Sequence, residues 1–392
     1  MTYPKLFHPS HWHHHDHRKH TELTLETIAQ WLRKNVVLCI AAVAALITSC
    51  IVPPDAQYAG YFDWKTLTCL FCVLAVVCAL KNVKFFTILA RKIVDCTGNL
   101  RVAVLALVYI TFIGSMLIAN DMALLTFLPL GYFVLSSTGK EKHMAFVFIL
   151  QNIAANLGGM LTPFGNPQNL YLYTKFNIPT GEFMQIMLIP FLVSVALITL
   201  CCLLFPRVSL AINEECPYRF DGKRTALYLL LFTLSIVIVF RVIPYWIGLL
   251  VILPILFFVD RKALAAVDYP LLLTFVCFFI FAGNMARIPA INRLFSELLE
   301  KNTLLVSLFS CQVISNVPSA ILLSEFTSNY QALLLGVNIG GTGTLIASLA
   351  SLITFREYTA HNPKKAGYYI LWFTVFNVAF AVILTIVASF LV

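Results

Sequence analysis

The sequence predicts an all-α polytopic membrane protein of two inverted repeats, each with a re-entrant helical hairpin and a broken transmembrane helix. Three observations predict it. Hydrophobic residues make up 60% of the 392 and charged residues 11%, with a mean hydropathy of +0.85, whereas soluble domains run at about 45–50% and 25%. One polar device occurs twice, 182 residues apart: Ala155-Asn156-Leu157-Gly158-Gly159-Met160-Leu161-Thr162 and Val337-Asn338-Ile339-Gly340-Gly341-Thr342-Gly343-Thr344. Glycine-broken polar segments at corresponding positions of two halves point to a binding site in a repeat-built membrane protein. Two other apolar runs, 101–138 and 303–326, are interrupted near the middle by Asn120-Asp121 and Ser315-Asn316.

Taken in order, residues 1–35 carry His8, His11, His13, His14, His15, His17 and His20 and no short apolar core of a cleavable signal. This segment reads as a disordered cytoplasmic tail in preference to a transition-metal site. A crossing needs about 20 apolar residues. Nine are expected, near 36–53, 64–81, 143–175, 182–204, 225–241, 243–260, 268–285, 331–353 and 366–391. The runs 101–138 and 303–326 are expected to be re-entrant hairpins with polar tips at mid-membrane. Amphipathic stretches at 83–94 and 288–300 read as interfacial helices. Upstream of them stand matching starts, Asp63-Trp64 and Asp268-Tyr269. The first repeat is therefore 36–204 with its broken helix at 143–175, and the second is 243–392 with its broken helix at 331–353. Between them, 205–242 forms a cytoplasmic loop and one linking span, which turns the second copy upside down.

The formal charge of +9 sits in short segments between apolar runs, so it reports orientation and not a nucleic-acid partner. Arg33, Lys34, Lys81, Lys84, Arg91, Lys92, Lys140, Lys142, Arg207, Lys223, Arg224, Arg261, Lys262, Arg356, Lys364 and Lys365 fall on one side if the N-terminus is cytoplasmic and the C-terminus external. The connection 52–63 has no Lys or Arg, as suits an outer loop. Arg287, Arg293 and Lys301 stand against this scheme. Nine of the eleven cysteines lie in apolar segments and act as small hydrophobes; Cys69-Leu70-Phe71-Cys72 has no second pair and no nearby His.

Asp121 is the most informative single residue. A mid-membrane Asp is penalised by roughly 2.5–3.5 kcal/mol on insertion scales, so such groups line polar cavities or meet counter-charges. It is suited to carry a coupling proton or hold a cation; the alternative role is a helix N-cap shared with Asn120. At the other tip, Pro318 is expected to start the returning helix, with Ser315 or Asn316 as its cap. Helix N-termini meeting at mid-membrane attract an anion, while unwound carbonyls hold Na⁺. Gly158-Gly159 and Gly340-Gly341 break the helices, and Thr162, Thr342 and Thr344 offer hydroxyls near Asn156 and Asn338. After the first break come Gly165, Asn166 and Asn169; the second break, through Gly343 and on to Ser351, reads as smoother and less polar. Na⁺ is expected near Asn120, Asp121, Gly159, Asn316 and Gly341.

At these residues the chain resembles the ion transporter superfamily of divalent-anion/sodium symporters, citrate transporters, arsenite efflux permeases and one class of sodium/proton antiporters. Asn120-Asp121 and Ser315-Asn316 resemble its hairpin tips; Gly158-Gly159 through Asn169 and Gly340 through Thr344 resemble its unwound helices. The resemblance implies a homodimer of scaffold and transport parts moving by an elevator-like shift. Dicarboxylate symporters have Ser-Asn-Thr at both tips, whereas this chain has Ala119-Asn120-Asp121 and Ser315-Asn316-Val317. That moves the reading toward the arsenite and sodium/proton branches. The expected function is secondary active transport of a small anion, a carboxylate such as citrate or an oxyanion, coupled to Na⁺ or H⁺. The alternative is a sodium/proton antiporter or arsenite-type permease. No cofactor is expected beyond the coupling ion, and the expected setting is a plasma or inner membrane. No H-E-x-x-H, G-x-S-x-G or P-loop spelling occurs, so an enzyme is not expected.

Overall fold

The computed structural model describes residues 31–32, 35–95, 97–209 and 221–392. The His-rich segment, Arg33 and Lys34, and 210–220 of the linking loop lie outside the described residues. Every long element among the described residues is helical. The first half runs α1 (Val36–Ile51), α2 (Trp64–Asn82), α3 (Phe85–Asp95), α4 (Leu100–Ile118), α5 (Asn120–Ser137), α6 (Met144–Gly158), α7 (Pro167–Lys175) and α8 (Thr180–Leu203). After α9 (Gly222–Val239) come α10 (Trp246–Val259), α11 (Arg261–Ala265), α12 (Tyr269–Ala286), α13 (Pro289–Ile314), α14 (Asn316–Leu323), α15 (Tyr330–Gly340), α16 (Leu349–His361) and α17 (Ala366–Ala388). Asn302, at φ −163° and ψ 89°, kinks α13 into an amphipathic arm and a second arm that leads to α14.

Short polar side chains start these helices by accepting otherwise orphaned amide protons. Asp63 caps α2 through Thr66 N at 3.0 Å, Asn99 caps α4 through Val102 N at 3.1 Å, and Asp268 caps α12 through Leu271 N at 3.0 Å. Asp221, Asp260 and Asn329 do the same for α9, α11 and α15. Neither α5 nor α14 has a side-chain cap at its N-cap position. Those two starts are where the chain turns back on itself.

Among the described residues, seven helices are long and apolar enough to cross a membrane, two fewer than the crossings expected. The seven include α4, which the sequence assigned to a hairpin arm. Three expected crossings are not long helices. α1 has 16 residues, because Pro53 and Pro54 follow closely and bar its continuation. α10 has 14, ending where Asp260 starts α11. The run 331–353 is split, since α15 stops at Gly340 and α16 begins at Leu349.

The halves interlock. α1 lies along α12, and α2 packs against α9, α10 and α11. The pair α4–α5 rests on α6 of its own half and, through α5, on α16 of the other. The pair α13–α14 rests on α15 and, through α14, on α7. Each break is thereby walled by both halves.

Candidate functional site

The two chain reversals have one backbone geometry. Ala119 sits at φ 66°, ψ 150° and Ser315 at φ 73°, ψ 160°. This region belongs almost wholly to glycine and strains any other residue by about 1–3 kcal/mol. In each case an asparagine follows and folds its own Oδ1 onto the next amide: Asp121 N to Asn120 and Val317 N to Asn316, both at 2.9 Å. α14 thus begins at Asn316, two residues before the start expected at Pro318, and Ser315 holds the cap position without capping. Instead Ser315 Oγ donates to Ala347 O at 3.3 Å. Asp121 caps nothing either; its Oδ1 is buried without a hydrogen-bond partner.

The unwound segments are pinned to these reversals by matched contacts. Thr162 Oγ1 donates to Met116 O at 2.9 Å, and Thr344 Oγ1 donates to Gln312 O at 3.3 Å. Met116 and Gln312 each stand three residues before the strained position. Gly158 lies so close to α4 that a Cβ would come within 2.3 Å of Phe112 O and 2.6 Å of Ser115 Oγ. Gly340 meets Cys311 of α13 in the same way, at 2.8 Å to Sγ. Gly159 and Gly165 face one another and Asn166, and Gly341 faces Asn316. At Gly343 the φ of +132° and the nearby Gln312 Oε1 leave no room for a side chain. Gln312 also donates to Gly340 O at 2.8 Å and accepts from Thr344 N at 2.9 Å, holding the second break open. That break, 341–348, is not smoother than the first: it contains no helix and ends at Ser348, which caps α16 through Ala350 N at 3.2 Å. Thr342 donates to Ile339 O at 2.6 Å, so all three threonine hydroxyls serve backbone carbonyls.

Behind the reversals the asparagines of both halves form one network. Asn156 Oδ1 accepts from Asn120 Nδ2 at 3.2 Å and from Ser348 Oγ at 2.9 Å. Asn166 Nδ2 donates to Asn156 O at 3.2 Å and Asn338 Oδ1 at 3.4 Å, and Asn338 Nδ2 donates to Asn169 Oδ1 at 2.6 Å. Asn169 Nδ2 in turn donates to the freed carbonyls of Gly159 and Met160, at 3.1 and 3.2 Å. These carboxamides are all buried, and buried polar groups must find partners. Asn152, one turn before Asn156, extends the network to Ser351 and Thr354 of α16.

A cavity of about 810 Å³ opens in front of the reversals. Of the predicted site residues, Asn120, Asp121, Ser315 and Asn316 line it; the others are outside the lining, among them Asn156, which accepts from Asn120, and Gly341, which packs beside Asn316. Gln168 and Ser348 also line it, joined by apolar side chains of α1, α12 and α13. The sequence analysis missed Gln312, Gln168 and Ser348 as site members. Among the described lining residues, Asp121 is the one ionisable group. The second reversal has no amide proton to spare for an anion. Asn316 N donates to Ala347 O, Val317 N to Asn316 Oδ1, Pro318 has none, and Ser319 N donates to Ser315 O. By contrast, at the first reversal and along the first break three of the buried side-chain oxygens have no partner among the described residues: Asp121 Oδ1, Asn166 Oδ1 and Gln168 Oε1. Carboxylate and amide oxygens of this kind are the ligands a hard cation takes.

A wholly helical membrane protein whose two halves meet at unwound polar segments beside a cavity is of the transporter class. The chain belongs to the citrate transporter family, whose model matches residues 25–334. It is 35% identical over 312 residues to an uncharacterized transporter of Methanocaldococcus jannaschii, covering 79% of this chain and 84% of that protein. It is 28% identical over 303 residues to the inner membrane protein YbiR of Escherichia coli, covering 75% and 80%. An uncharacterized transporter of Haemophilus influenzae matches at 29% identity over 178 residues, 42% of this chain and 38% of that one.

Proposed function

We propose that this membrane transporter is a secondary active carrier of a small anion, citrate or another carboxylate first, coupled to Na⁺ or H⁺ at Asp121. The observation that carries the reading is Asp121 Oδ1, buried without a partner at the first strained reversal and beside the cavity. A carboxylate so placed is stable as the acid or as a cation ligand, and its exchange between these states links a gradient to cargo movement. Na⁺ is assigned near Asn120, Asp121, Gly159, Asn316 and Gly341, with Asn166 and Gln168 as further oxygen donors. The matched reversals are read as the tips of re-entrant hairpins in inverted repeats, 36–204 and 243–392. Exchange of shapes between the repeats exposes the cavity to each side in turn. The carrier is read as a plasma-membrane homodimer with its N-terminus cytoplasmic.

A second reading, a sodium/proton antiporter or arsenite-type permease, is favoured by two observations: Lys, Arg and His are missing from the described cavity lining, and the second reversal offers no free amide. Proteoliposomes separate the two. With a Na⁺ or pH gradient, labelled citrate or succinate accumulates at least tenfold over gradient-free vesicles if the first reading holds. Dissipation of a pH gradient by Na⁺ without such uptake establishes the second. Asp121→Asn is expected to abolish gradient-driven accumulation, and full coupled transport by that variant would remove Asp121 from either scheme.

A further inference from the structure

We infer that the end of the molecule where α6, α8 and α17 meet is a binding site for an anionic glycerophospholipid. A pocket of about 250 Å³ there is lined by Phe146, Leu150, Cys201, Leu204, Phe205 and Phe376, with His143 at its rim. Phe146 is the hinge of an aromatic wall. Its ring meets those of Tyr368, Trp372 and Phe376 at 6.4, 5.5 and 5.8 Å, and these three recur at every fourth residue along one face of α17. Such rings settle at the boundary between acyl chains and headgroups.

Basic side chains gather at the same end. Lys140 and Lys142 stand immediately before His143, in the turn that leads into α6. Asn362 Nδ2 lies 3.3 Å from Met144 Sδ, next to His143, and so brings the turn carrying Lys364 to this end of α6. Arg207, exposed, directly follows Pro206 of the lining. Lys142 and Lys364 are exposed as well. Cations over an apolar slot between membrane helices match a phosphate headgroup whose acyl chain enters the slot. The cavity at Asp121 has the opposite character, with a carboxylate and no described cation. The two sites are therefore separate in place and in chemistry.

Trp372, beside the pocket, reports occupancy. In the full-length chain with Trp12, Trp31, Trp64 and Trp246 changed to Phe, its fluorescence is titrated with brominated phosphatidylglycerol or brominated phosphatidylcholine in mixed bilayers. Each basic side chain near a headgroup contributes about fivefold in affinity. Phosphatidylglycerol is expected to quench with at least about fivefold higher relative affinity at low salt, weakening as salt rises. The quadruple variant Lys140→Gln, Lys142→Gln, Arg207→Gln, Lys364→Gln is expected to bring the two lipids to parity. Equal quenching by both lipids in the unmodified background overturns the inference, as does a preference that survives the quadruple variant. At constant ionic strength, loss of the preference on replacing chloride with millimolar inorganic phosphate or glycerophosphate also overturns it, because the site then takes a free anion.

Discussion

The side chain on which most of the central contacts turn is Asn156. Its Oδ1 serves Asn120 at the first reversal and Ser348 from the other half, and its carbonyl serves Asn166. Removing it strands two buried donors, so Asn156→Ala is expected to destabilise the protein by about 1–3 kcal/mol. Thermal unfolding in detergent measures this. Because both residues belong to one network, Asn120→Ala in that background is expected to add far less than it does alone. Asn156 was legible in the sequence because a carboxamide in an apolar run cannot be accounted for by lipid contact. Gln312 and Ser348 were not. Gln312 stands between cysteine and valine at the end of an apolar helix, where a polar residue is read as a solvated end. Its contacts to Gly340 and Thr344 cross 28 and 32 residues, which no local pattern reveals.

At the scale of elements, the breaks were legible and their extents were not. Paired glycines announced where α6 and α15 stop, but the second break continues to Ser348 through Leu345 and Ile346, whose apolar character resembles helix. Helix lengths were overstated for a related reason: hydropathy counts apolar residues, whereas α1 ends where prolines and α10 where a capping aspartate interrupt the backbone ladder. Close helix crossing explains the glycines themselves. At Gly340 a Cβ would lie 2.8 Å from Cys311 Sγ and 2.9 Å from Cys311 Cβ. Gly340→Ala is therefore expected to lower the melting temperature and transport together, and Cys311→Gly to restore part of both by clearing those atoms. Gly158→Ala meets a main-chain oxygen at 2.3 Å, which no side-chain change can remove. Its loss of folded protein, read by size-exclusion yield, is expected to exceed that of Gly340→Ala and to resist rescue by Ser115→Gly.

Across the whole molecule, the sequence led to the expectation of two related halves but did not reveal how firmly one is clasped to the other. Arg287, which stood against the orientation scheme, is the answer in part. Its guanidinium meets Asp55 at 2.7 and 3.1 Å and Tyr61 at 3.1 Å, in the connection that precedes α2. Its charge is therefore matched within the 52–63 loop, and the same contact ties that loop to the end of α12. Tyr61 also donates to Asn284 Oδ1 at 3.3 Å, and Asn284 Nδ2 donates to Thr48 and Ser49 of α1 at 3.3 and 3.2 Å. The hydrogen bond from Arg287 holds the Asp55 carboxyl below its ordinary value of 3.8. A carboxyl depressed in the folded state stabilises above its unfolded value and ceases to do so as pH falls through the folded one. The clasp is thus fully present at neutral pH and declines progressively as pH falls below about 4, through the lowered folded value. Asp55 is open to solvent, so salt screens the pair. Melting curves of the native chain and Asp55→Asn are expected to differ by a constant amount from pH 5 to 8 in low salt and to converge toward pH 3 or in molar salt. A difference unchanged between pH 5 and pH 3 would show that Asp55 acts by shape and not by charge.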